Sequence, residues 1–189
     1  MSPFEFVLLF ISFVYALSLT HLLMGWARMV RRRRDLVFSA PHALWTVVAF
    51  ATVIVNWLGF WDFHTVPTID LPTFAGAVIL CVANYLVAAL VTPEFEKSEG
   101  DDLAKFHATQ GPTYLGALLV LVVIAIILNT AAQIEGITKW GAENSLVVAM
   151  AGPIVAALAS RRRLVQFLAP AIEIVLFITF AVLYYPRIA

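Results

Sequence analysis

The sequence predicts an all-α, polytopic integral membrane protein, a compact bundle of six transmembrane helices with short connections. Three observations lead there. Of 189 residues, 62% are hydrophobic and only 13% are charged, against about 45–50% and about 25% in a soluble domain. Apolar runs of roughly 18 residues or more, long enough to cross a bilayer, recur along the whole chain. Basic residues gather between alternate runs, as they do where loops stay in the cytoplasm. A barrel would instead show strands of alternating polar and apolar residues, which these runs lack. No polar stretch is long enough for a separate soluble unit, so residues 1–189 are read as one domain.

The first span is placed at Pro3–Ala27. Its arginines follow the apolar run rather than precede it, unlike a secretory signal, so it is read as a retained helix. The second is His42–Trp61, the third Pro72–Val91 and the fourth Pro112–Ile134. Pro41, Pro72 and Pro112 are expected to open these helices, because a first-turn residue has no partner for its N–H in any case. The fifth span is Ala142–Ser160. Its Gly152-Pro153 pair is expected to bend or interrupt it. Gly152, Ala156 and Ser160 form a small-residue face suited to close helix packing. The sixth span is Leu164–Tyr185, with Pro170 inside it.

Charge sets the orientation. Arg28, Arg31–Arg34, Lys97, Lys105 and Arg161–Arg163 all fall in the first, third and fifth loops, which is ten of the twelve basic residues. Those loops are expected in the cytoplasm and both termini on the other side. Trp26 and Trp45 fall near the inner interface, and Trp57, Trp61, Trp140, Tyr184 and Tyr185 near the outer one. A bacterial cytoplasmic membrane and homo-oligomers are the expected setting. Spans 1–3 and 4–6 have opposite topology, so an inverted repeat is open, although no residue-level match supports it.

Polar residues inside apolar runs are functional candidates by default. Counting about 1.5 Å per residue from the cytoplasmic ends puts Glu173, His21 and Asn84 in one layer. Helical spacing places each on an inward stripe: Ser18, His21, Gly25 and Arg28 on span 1; Ala77, Cys81, Asn84 and Ala88 on span 3; Gln166, Pro170, Glu173 and Phe177 on span 6. A carboxylate in hydrocarbon either takes up a proton or finds a partner. The expected partner is His21, with Asn84 as a neutral hydrogen-bonding neighbour. Such a site could exchange a proton or bind a cation or amine. A second layer, toward the outside, holds Asn56, Asn129 and Gln133.

Other features bound the function. One cysteine, Cys81, excludes an internal disulfide and a cysteine zinc cluster. Catalytic signatures such as H-E-x-x-H and G-x-S-x-G are absent from the sequence. So little soluble surface leaves nucleic-acid binding without support. No cofactor is expected; a haem between His21 and His42 is the alternative, without a buried histidine pair to favour it. Asp62, His64 and Asp70 line an outer loop. Glu94, Glu96, Glu99, Asp101 and Asp102 make the third loop acidic, and they either lie in water or latch onto the arginine clusters. Asp101 is expected to cap a short helix in which Leu103 and Phe106 dip toward the interface. The function expected is passage or binding of a small solute or ion within the bilayer, with a membrane assembly, sensor or redox-partner subunit as the alternative.

Overall fold

A chain in hydrocarbon must satisfy its own backbone, and a helix does so within one segment. The computed structural model follows this rule. It describes residues 3–63, 70–94, 102–132 and 137–185. They form α1 (Pro3–Arg31), α2 (Ala40–Gly59), a 3-10 turn (Phe60–Phe63), α3 (Leu71–Val91), α4 (Leu103–Ala132), α5 (Ile137–Ala159) and α6 (Arg163–Tyr184). No strand occurs among the described residues. Five helices, α1 to α4 and α6, are long and apolar enough to cross a membrane. In α5 the apolar stretch is shorter, Asn144–Ala159.

Helix starts follow capping chemistry. Asp70 precedes α3 and accepts from the Thr73 N–H at 3.0 Å, with a proline in the first turn. Pro41 likewise lies in the first turn of α2. Pro112 does not open α4. That helix starts at Leu103, where the Asp102 carboxylate accepts from the N–H groups of Ala104 (2.8 Å) and Lys105 (3.1 Å). The short interfacial helix expected near Asp101 is therefore the first turns of α4, and Asp101 itself lies outside the described residues. Leu103 is buried, and its N–H donates to the Val37 carbonyl at 3.1 Å, joining the first loop to the third. Pro112, Pro153 and Pro170 all sit inside continuous helices. A membrane helix tolerates proline where neighbouring helices and polar side chains support the freed carbonyl.

α2 touches α1, α3, α4 and α6, while α1–α3, α3–α4, α4–α5 and α5–α6 pack side by side around it. Glycine permits the tightest approaches. A Cβ on Gly25 would meet Thr92 Cγ2 at 2.5 Å, and one on Gly76 would meet Leu128 Cδ2 at 2.5 Å. The outer faces are apolar: Phe13, Leu17, Ile127 and Val175 are all more than half exposed. The inside holds Ser18, His42, Asn84, Asn144 and Glu173, each buried. An apolar exterior around polar groups is the arrangement a bilayer imposes.

Two expectations change here. Trp45 is not at an interface but buried against the core, unlike the exposed Trp26. The small-residue face of α5 does not make the tight contacts within the bundle: Gly152 and Ala156 are exposed, and a Cβ on Gly152 would meet nothing. The buried side of α5 is the one carrying Met150, Ile154 and Ala157.

Candidate functional site

A cavity of about 760 Å³ opens at the end of the bundle that carries Asp70. All six helices line it, through Val7, Asn56, Phe74, Asn129, Asn144 and Phe177 among others. Exposed Asp70 and Thr73 form part of its rim, with Tyr184 and Tyr185. Hydrogen bonds from the Thr73 side chain and then its N–H hold the Asp70 carboxyl below the usual range for aspartate.

The polar groups of the wall are paired amides. Asn56 Nδ2 donates to Asn84 Oδ1 at 3.4 Å, and Asn84 Nδ2 donates to the Leu80 carbonyl at 3.2 Å. Asn129 Nδ2 donates to Asn144 Oδ1 at 2.9 Å. Thr52, also in the wall, gives its hydroxyl proton to the Val48 carbonyl at 2.8 Å. Tyr15 is buried, and its hydroxyl has no hydrogen-bond partner among the described residues. Asn56 and Asn129 thus meet at one cavity as their depth implied. Gln133 lies outside the described residues, as do His64 and the side chain of Asp62. Asn144 is the wall residue that periodicity missed, because it stands near the edge of its apolar run.

Glu173 lies one helical turn deeper than Phe177 on the same face of α6, between the cavity floor and the arginine-rich end. It is completely buried, and neither carboxyl oxygen has a hydrogen-bond partner among the described residues. The expected pair with His21 is not made. His21 is half-buried, its ring 6.2 Å from that of Tyr85, on a helix that packs chiefly against α3 and α2, whereas α6 packs on α2 and α5. Ser18 is buried but gives its hydroxyl to the Val14 carbonyl at 3.0 Å. Asn84 is committed to Leu80 and Asn56. Counting depth therefore did not bring the acid, the imidazole and the amide together: Asn84 pairs with Asn56, which the count had placed in the outer layer, and Glu173 has no hydrogen-bond partner among the described residues. On α1 the buried face runs through Ile11, Tyr15, Ser18, Leu22 and Gly25, which leaves His21 on its flank.

A second constellation lies at the arginine-rich end, and its proton positions follow from chemistry. Gln166 Nε2 donates to the carbonyls of Ala157 (2.7 Å) and Ser160 (2.6 Å), so its Oε1 must be the acceptor for His107 Nε2 at 2.8 Å. His107 Nε2 therefore carries the hydrogen, and Nδ1 accepts from the Tyr114 hydroxyl. This chain ties α4 and α6 to the last carbonyls of α5, which the helix itself cannot satisfy. Beside it, His42 Nε2 donates to the Val91 carbonyl at 2.9 Å. The His42 ring is 5.3 Å from Phe106, edge-on, and its Nδ1 has no partner among the described residues. His42 was expected at the inner rim; the early start of α4 covers it with Phe106. His42 stands against Phe106 and Tyr114, and His21 against Tyr85.

The helices and the site define an α-helical protein of the lipid bilayer with an internal cavity. No family model, no curated protein and no solved structure matches the chain.

Proposed function

We propose that this protein carries a small solute or ion across a membrane, with the Asp70-end cavity as the solute site and Glu173 as the proton-exchanging group beneath it. The observation that carries this reading is the stacking of the two. A largely apolar cavity carrying a few amide and hydroxyl groups reaches the surface at one end, and a buried carboxyl with no hydrogen-bond partner among the described residues lies one turn below its floor. An acid kept without a partner inside a bilayer is costly, and such groups mark proton or ion pathways. At the other end His107 and Gln166 tie α4 and α6 to the end of α5, and His42 ties α2 to α3, which fits a state open on one side only. In this reading all six helices cross the bilayer. The arginine-rich end faces the cytoplasm and both termini lie on the opposite side, as ten of twelve basic residues favour.

Reconstitution tests it. Proteoliposomes challenged with a panel of amines, amino acids, sugars and inorganic cations should give solute-dependent currents that vary with pH. Glu173→Gln should assemble like the parent and lose the pH dependence. Parent and variant responding identically to pH would remove Glu173 from the mechanism, and no response to any solute would remove the carrier reading.

A further inference from the structure

We infer that the Asp70-end cavity binds a protonated amine carried on an apolar body. This rests on the solute-site reading above and names its ligand class.

The argument is an inventory of donors and acceptors. A carbonyl oxygen can only accept, so the bond from Asn84 Nδ2 to Leu80 O fixes the orientation of the Asn84 amide. Its Oδ1 is then the group facing Asn56, which must turn Nδ2 toward it. Asn56 lines the cavity and Asn84 does not, so Asn56 is left with its Oδ1 acceptor uncommitted. Across the cavity Asn129 commits Nδ2 to Asn144, and again an Oδ1 acceptor remains. The Thr52 hydroxyl has given its proton to Val48 O, so its oxygen has only lone pairs to offer. At the rim stands the Asp70 carboxylate, another acceptor. The wall thus presents acceptor oxygens from Asn56, Asn129, Thr52 and Asp70 beside the remaining amide N–H groups, and an ammonium group supplies up to three N–H donors to those oxygens.

Charge and shape agree. Among the described residues of the lining there is one acid and no lysine, arginine or histidine, so an anion would meet no cationic partner. Phe180 and Tyr184 stack loosely near the mouth, with ring centroids 4.7 Å apart, and Tyr185 and Phe60 stand close by. Aromatic faces attract a cation by their quadrupole. The deeper wall, with Leu80, Leu121, Val122, Met150 and Phe177, suits a hydrocarbon or aromatic body. A volume of about 760 Å³ falls within the roughly 300–1,000 Å³ of small-molecule sites.

Three probes with a shared body separate the possibilities: 2-phenylethylamine, 2-phenylethanol and 3-phenylpropanoate. Their binding to the full chain in nanodiscs is measured by equilibrium dialysis at neutral pH, with empty nanodiscs subtracting the lipid share. The amine should bind at least about tenfold more tightly than either analogue. Asn56→Leu with Asn129→Leu should abolish that preference. Should that variant fail to fold, Asp70→Asn, exposed and still able to cap α3 through Oδ1, should reduce the preference several-fold. Equal binding of all three probes overturns the ligand class and leaves the solute site standing. Binding of none also overturns the class, and the solute panel in proteoliposomes then judges the carrier reading separately.

Discussion

Replacing Glu173 by methionine should stabilise this protein while removing its pH response. The side chain is fully buried, and both oxygens lack hydrogen-bond partners among the described residues. A buried polar group left unsatisfied costs about 1–3 kcal/mol. Methionine has similar length and no polar oxygen, and it adapts to an irregular space. The exchange therefore recovers about 1–3 kcal/mol. For a chain of this size each kcal/mol moves the melting temperature by about 2–4 °C. The apparent melting temperature in detergent should rise by roughly 2–12 °C on that scale. Glu173→Gln keeps two unsatisfied polar atoms and should stay within about 1 kcal/mol of the parent, by the same reasoning. Glu173→Ala leaves a void and should fall below methionine by about 2–4 kcal/mol. Fluorescence-detected size-exclusion after heating reads all three. A methionine variant that melts below the parent would show that the carboxyl has a favourable partner in the native protein, and the idea of an acid held free for proton exchange would fail with it.

Three further outcomes are expected. Gln166→Leu removes the donor for two carbonyls at the end of α5 and the acceptor for His107, so it should lower stability by about 2–4 kcal/mol; a change under about 0.5 kcal/mol would mean water replaces the amide without loss. Gly25→Ala drives a methyl into Thr92 Cγ2, whose rotation would break the 2.8 Å bond from Thr92 Oγ1 to the Ala88 carbonyl, and should cost about 1–3 kcal/mol; adding Thr92→Ser removes that methyl, keeps the hydroxyl and should recover most of the loss. Asp70 should titrate below the ordinary value of about 3.9, because Thr73 hydrogen-bonds its ionised form. Its cap on α3 then stabilises the fold above that ordinary value and is lost as pH falls through the lowered one; a carboxyl carbon-13 titration placing Asp70 at or above the reference value would contradict the cap.

Much of the fold was legible because bilayer physics acts on composition. The apolar runs became helices, and the acid of the sixth run became a fully buried residue on the stripe with Pro170 and Phe177. On α3 the stripe of Ala77, Cys81, Asn84 and Ala88 is buried as its spacing implied. Proline misled at residue 112, since first-turn preference is a local rule and the helix instead begins at Leu103, capped by Asp102. The asparagine layer was half legible: Asn56 and Asn129 share a cavity, but their partners Asn84 and Asn144 depend on which helices adjoin. The pairing at the arginine-rich end was only half legible: Gln166 stood on the inward stripe of the sixth span, but His107, 59 residues away, was read as part of a loop.

Hydropathy alone decides that each run is helical, because it depends on each residue's own transfer energy, and periodicity picks the inward face of α3 and α6, whereas on α1 it misplaces His21 and on α5 the small-residue face turns outward. Which inward faces meet is a property of the packed bundle. His21 and Glu173 were counted into one layer yet belong to helices that share no substantial contact, since the order of helices around α2 comes from side-chain shape and glycine-permitted close approach between segments distant in the chain.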